Sequence, residues 1–411
     1  MLSNLFLILD ERATSFCYYS NPGFGEADAE FMPLKLLRRA LAFAEENGLG
    51  VTCLLGSQSL PEKHQQLLDS TVHGTIVPLS LLAHYPDAVP VINPGDLQSA
   101  ASLEMSETRN LILRLEKDSL GSFDEVIGSL LGRFKRLNVS LLDIPEYGDE
   151  DLQEYQNQLE AIVSRISAEF IRGHAIELNF LTDRLLLTEM NNCQAGVDHL
   201  TLGPNGKLYI CPALYHDDPD QSVGELEAGV QIKNSRLLEL DNAPICKLCD
   251  AYHCKRCVFL NKKTTLEVNT PSHQQCALSH LEREGSRRIL SALGHLEDFE
   301  SLDPIPELDY LDPLVLLTDP NRQKKREASV GLRKKAKSAE KPVRDRPEYK
   351  GPVVVWDGDR RVELPRLAAV VPPEWKRKKE QTGQDGEVKA LLREILKTQR
   401  AILAVLKEHQ N

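Results

Sequence analysis

The sequence contains no apolar run long enough to cross a bilayer, so a membrane-spanning helix is not expected. It has no basic flank ahead of its first apolar run, Leu5–Leu9, which Asp10 and Glu11 close. That run reads as a buried strand, not as a signal peptide. Positive charge is in short supply: 49 Lys and Arg stand against 61 Asp and Glu, a net charge of -12. Such a balance argues against nucleic acid as a partner of the whole molecule. No repeat at a solenoid period is present. The nine cysteines are odd in number and do not form the framework of a small disulfide-bonded domain. A reducing, cytoplasmic setting is therefore expected, where thiolates bind metals.

Seven of the nine cysteines fall between Cys193 and Cys276, in an ordered pattern. Cys193-x12-Gly206-x4-Cys211 comes first, then Cys246-x2-Cys249-x4-Cys254-x2-Cys257, then Cys276. Thiols at short fixed spacings point to a metal site. A four-thiolate zinc site usually separates its two C-x2-C knuckles by some fifteen or more residues. Here only Asp250, Ala251, Tyr252 and His253 lie between Cys249 and Cys254. That crowding favours the corners of a cuboidal iron–sulfur cluster, with zinc and inert buried thiols as the other readings.

Upstream, strand-length apolar runs alternate with amphipathic stretches. The runs are Leu5–Leu9, Val51–Leu55, Thr75–Leu79, Leu111–Leu115, Val139–Leu142 and Ile176–Phe180. Helices are expected over Pro33–Glu46, with Gly48 as a stop, Phe123–Lys135 and Leu152–Arg172. Six such units predict an α/β fold, a parallel sheet with helices outside, as an open or partial (β/α)6 barrel. Gly203-Pro204-Asn205-Gly206 predicts a hairpin between strands near Asp198–Leu202 and Lys207–Ile210, which would bring Cys193 and Cys211 close. A helical run, Leu278–Leu293, follows Cys276. Four segments result: 1–188, an α/β part; 189–298, a cysteine-rich part; 299–385, a proline-rich and basic linker with a small hairpin, Val353–Trp356 and Arg361–Leu364; and 386–411, an amphipathic helix.

Cys193-Gln194-Ala195-Gly196, Pro204-Asn205-Gly206, Cys211-Pro212 and Ser222-Val223-Gly224-Glu225-Leu226 together resemble the opening of a SPASM domain, and the later cysteines resemble its second half. SPASM domains extend radical SAM enzymes, many of which modify ribosomally made peptides, and they bind auxiliary 4Fe–4S clusters. The upstream units resemble the partial (β/α)6 barrel of that superfamily. Phe16-Cys17-Tyr18-Tyr19 resembles the opening of the CXXX repeat peptide maturases. The resemblance covers about residues 1–295 and implies a radical SAM-type barrel, a SPASM-like iron–sulfur domain and a C-terminal helical extension. It implies one cluster on Cys193, Cys211 and Cys257, with an iron left open or held by substrate, and a second on Cys246, Cys249, Cys254 and Cys276.

The sequence departs from that family in three places. SPASM domains usually carry C-x2-C-x5-C-x3-C, and here each of the last two gaps is one residue shorter. Radical SAM enzymes carry C-x3-C-x2-C after the first strand; here that loop holds Cys17 alone. Leu55-Gly56-Ser57 stands where Gly-Gly-Glu would follow the second strand. S-adenosylmethionine binding is thereby placed in doubt, and the chain reads as a radical SAM scaffold without its radical-generating site.

The expected function is peptide maturation: binding and positioning a precursor peptide, or relaying electrons to a partner maturase or from an electron donor. An active maturase with an unconventional site is a second reading, and a zinc-bearing nucleic-acid module a third. Self-association or partner docking is expected of the last helix. Among single residues, Cys17 and Cys53 read as small core thiols, His253 as a donor near the metal or an exposed residue, and His216, His273 and His280 as surface residues. Asp10 and Glu11 read as a solvated strand end at the barrel mouth.

Overall fold

A computed structural model describes residues 2–24, 30–100, 110–174, 176–307, 353–357 and 360–364. The chain divides into two units, Met1–Arg333 and Lys334–Asn411. Seven parallel strands lie side by side in chain order: β1 (Asn4–Ile8), β2 (Gly50–Leu54), β3 (Gly74–Pro78), β4 (Val89–Ile92), β5 (Asn110–Leu115), β6 (Arg136–Leu141) and β7 (Glu177–Leu178). Helices and short turns connect them: α1 (Leu34–Asn47), α2 (Glu62–Asp69), α3 (Leu97–Ala100), α4 (Phe123–Leu130), α5 (Asp149–Ile171) and, after β7, α6 (Thr182–Leu186). The fold is mixed α/β with a parallel sheet.

On its other side β1 pairs with β8 (His199–Leu202), also in parallel, with Asn4 opposite His199. The sheet then continues antiparallel through β9 (Lys207–Tyr209), β10 (Gly224–Glu225) and β11 (Gly229–Val230). One sheet therefore runs through both the α/β part and the start of the cysteine-rich part. After β9 comes α7 (Pro212–Asp217), and later α8 (Val258–Thr265) and α9 (His273–Leu293).

Both faces of β1 are buried, as a central parallel strand requires. Leu5, Leu7 and Leu9 join one core with Cys53 and the α1 residues Leu37, Ala40, Leu41 and Ala44. Ile8 belongs to a second core that includes α4, α5 and α9. Burying each leucine in these cores is worth about 2 kcal/mol. Gly48 ends α1 at φ 65°, where its N–H returns to Ala44 and Glu45 carbonyls.

Six of the seven parallel strands coincide with expected runs, and β4 is an addition. Pro90 sits inside it, opposite Val77, and proline in a run argues against a strand. The Gly203–Gly206 turn and both of its strands form as expected, with Gly206 at φ 82°. In the second unit Val353–Asp357 and Arg360–Leu364 pair antiparallel, as expected. The basic stretch at 322–350 and the final helix expected from residue 387 lie outside the described residues.

Candidate metal centre

The cysteines sort into two neighbourhoods. Cys193 leaves α6 on a segment bonded to the later cysteine loop: Asn191 N–H donates to Tyr252 O at 2.8 Å, and Cys193 N–H to Lys255 O at 2.8 Å. Cys211 caps the start of α7, and Cys257 caps α8, where its sulfur accepts Leu260 N–H at 3.5 Å. Cys257 is pushed well above the usual thiol range by burial first, then by the neighbouring Cys17, Cys193 and Cys211. Burial, then Cys193 and Cys17, likewise raises Cys211. Burial, then Cys193, holds Cys17 at about 12. Cys17, expected to be a small core residue, thus shares the neighbourhood of three other thiols. Cys53 is a core residue as expected, fully buried against α1.

Cys246, Cys249, Cys254 and Cys276 line a second, mostly apolar pocket. Burial raises Cys246, and Cys254 and Cys249 add to the shift. Sulfurs here accept backbone N–H groups: Ala251 donates to Cys249 and Arg256 to Cys254, each at 3.4 Å. Such bonds favour the thiolate over the thiol. A histidine approaches each neighbourhood. His280 Nε2 lies 3.4 Å from Cys249 Sγ, and His199 Nε2 lies 3.9 Å from Cys193 Sγ while its Nδ1 meets Asp198 at 3.0 Å. Among the described residues no group of three or more His, Cys, Asp or Glu side chains converges as one metal ion would require.

Arg256 lies between the two neighbourhoods. It is 2% exposed and stands at φ 44°, where the loop bends from Cys254 to Cys257. Its Nη2 donates to Leu238 O, while Nε and Nη1 meet no hydrogen-bond partner among the described residues. Burial lowers its pKa, and Cys246, Cys254 and Cys193 pull it back up. A buried cation with two idle donors calls for anionic acceptors, because burying a charge without them is costly. Thiolate-bound clusters of net negative charge on both sides would supply them, so the donor set fits such groups.

The same loop is fixed to two helices. Arg184 Nε donates to Asp250 O at 2.6 Å and stacks over Tyr252 at 4.4 Å. Arg283 of α9 forks onto the Asp250 carboxylate.

The loop after β1 is folded inward. Arg114, 5% exposed on β5, donates to Cys17 O at 3.2 Å, Tyr19 O at 2.5 Å, Ser20 Oγ at 3.3 Å and Asn93 Oδ1 at 2.7 Å. Asp10 is fully buried and accepts Arg12 N–H at 2.8 Å, which corrects its expected place at a solvated strand end; Glu11 is exposed. His280 is buried rather than on the surface, because α9 packs against the cysteine loop. His253 is also buried and meets Glu282 at 3.0 Å, with Tyr155 donating to the same carboxylate at 2.8 Å. These groups border a cleft at the ends of β6 and β7, lined also by Tyr18, Asn179, Cys254 and Lys255.

Sequence reasoning missed Arg114, Arg256, His199 and Glu282. A signal existed for the first two: one arginine interrupts an otherwise apolar strand, and the other sits inside a C-x2-C pair.

No protein-family model matches the sequence, and no curated protein sequence does. Among solved structures, the chain matches anSMEcpe with bound AdoMet at 12% identity and a TM-score of 0.48, over 72% of this chain and 97% of that one. Streptococcus suis SuiB bound to S-adenosylmethionine is 13% identical with a TM-score of 0.32, over 52% of this chain and 61% of SuiB. SuiB bound to its precursor peptide SuiA is 12% identical with a TM-score of 0.33, over 53% of this chain and 61% of SuiB. No helix among the described residues is long and apolar enough to cross a membrane.

Proposed function

We propose that this chain is an iron–sulfur protein that acts in the maturation of a ribosomally made peptide. In this reading residues 1–188 are a partial barrel of radical SAM type, and 189–298 are a SPASM-like domain with two 4Fe–4S clusters. Cys193, Cys211 and Cys257 belong to one site; Cys246, Cys249, Cys254 and Cys276 belong to the other. The parallel strand order supports the first assignment and the sorting of thiols the second. Arg256, a buried cation with two idle N–H donors between the sites, is the observation that carries the proposal.

Such clusters, when bound, supply one-electron transfer. The chain's own residues set the conditions. Arg256 offsets negative charge between the sites. His199 and His280 sit against sulfurs of the two sets. The cleft with Lys255, Tyr18 and Glu282 offers a peptide both charge signs beside Cys254. The loop that would hold a third cluster lacks two of its three cysteines and is packed with Phe16, Tyr18 and Tyr19. The protein therefore positions peptide or passes electrons to a partner, and does not generate a radical by itself.

The test is the iron, sulfide and zinc content of protein purified without oxygen, with electron paramagnetic resonance after reduction. About eight irons and eight sulfides per chain are expected of two 4Fe–4S centres. Stoichiometric zinc without sulfide overturns the proposal and leaves a zinc protein.

A further inference from the structure

Resting on the cluster reading above, we infer that Cys17 is the fourth protein ligand of the first site, so that a side chain from the loop after β1 closes the set begun by Cys193, Cys211 and Cys257.

Each neighbour of Cys17 in sequence reaches the surroundings of one of those three cysteines. Phe16 stacks on Phe6 at 5.7 Å; Phe6 meets His199 edge-on at 5.2 Å, and His199 faces the Cys193 sulfur. Tyr19 stacks on His216 at 5.5 Å, and His216 belongs to α7, which Cys211 caps. Tyr18 lines the cleft beside Cys254 and Lys255, on the segment that leads through Arg256 to Cys257. Cys17 is thus enclosed by the three segments that carry the other thiols. It and Cys193 pack against the same core that contains Cys211 and Cys257, whereas Cys53 lies in the other core.

The loop is also held still. Arg114 fixes the carbonyls on both sides of Tyr18, those of Cys17 and Tyr19, from a rigid central strand. A ligand needs that fixed placement; a small core thiol does not. Ligation needs only loss of the thiol proton, with no change of oxidation state at sulfur. The consequence is specific. A site with three thiolates leaves one iron open to substrate, and a site with four does not.

The experiment uses full-length protein loaded with iron and sulfide, labelled cyanide as the probe of an open iron, and electron–nuclear double resonance as the readout. Wild type is expected to show two clusters and no cyanide coupling. Cys17→Ala is expected to show cyanide coupling at one cluster, or loss of one iron with a three-iron signal, while Cys53→Ala matches wild type. Cyanide coupling in wild type overturns the inference, and this arm needs no variant to fold. A Cys17→Ala protein with wild-type iron content and no coupling overturns it too. Wild type lacking iron and sulfide would instead be the failure of the cluster reading itself.

Discussion

Arg283 holds Asp250 in a two-bond fork, Nε to Oδ1 at 2.8 Å and Nη2 to Oδ2 at 2.6 Å, with the guanidinium fully buried. Asp250 directly follows Cys249, so the fork fixes the start of the short span between two thiols of the second site. Arg283→Met removes the charged partner that both carboxylate oxygens of Asp250 accept from. The expected loss is about 3–5 kcal/mol, read as a lower denaturation midpoint. Arg288→Met, which breaks an exposed pair with Glu160, should change stability by at most about 1 kcal/mol.

On the proposed two-cluster reading, Arg256→Met should lower the reduction potential of both clusters, because removing a nearby positive charge favours the oxidised state. A shift of tens of millivolts is expected, as about 59 mV corresponds to a tenfold change for one electron. Arg256→Lys should recover part of it. Potentiometric titration followed by paramagnetic resonance separates this from a folding defect, since iron content is measured on the same samples. A shift confined to one cluster would place Arg256 beside that site only.

Burial holds His216 at about 4, below its ordinary value of 6.5. The native ring is therefore neutral while the unfolded chain takes up a proton between those two values. Stability falls as pH drops from 6.5 toward 4 and is flat in this term outside that window, by at most about 3 kcal/mol. His216→Phe keeps the stack on Tyr19 and should flatten the decline, checked by chemical denaturation at several pH values.

Gly56 follows β2 where the chain passes the buried Asp10. A Cβ there would stand 2.1 Å from Asp10 Oδ2 and 2.9 Å from Arg12 O. Gly56→Ala should destabilise by about 1–3 kcal/mol, the range for overpacking. Asp10→Ala in the same chain should relieve part of that loss, and a double-mutant cycle measures the coupling.

Much of the sheet was legible because its strands are continuous apolar runs and its turns carry glycine and proline. β4 was not, since Pro90 hides a strand whose pairing its neighbours impose. The spacing singled out the seven clustered cysteines as one group, and Cys53 was legible as a core thiol from its place in an apolar run. Cys17 was not placed beside Cys193, because that proximity is made by β1 pairing with β8 across nearly two hundred residues. Asp10 and His280 looked solvated for the same reason: what covers them arrives from distant chain. Arg114 is legible only in retrospect, as a charge that must have acceptors waiting.

The position of β1 also bears on the order in which the protein is made. Its partner on one side is β2, but its partner on the other is β8, so one edge of the first strand stays open until His199–Leu202 have been synthesised. Contacts so distant in sequence slow folding, and an open apolar strand edge invites wrong pairing meanwhile. The residues of β1 thus complete their hydrogen bonds only long after they are made. Pairing of β1 with β8 comes just after Cys193 is made, whereas β9 to β11 and the other six clustered cysteines follow later, so the parallel part of the sheet can be joined before the cysteine-rich part is complete.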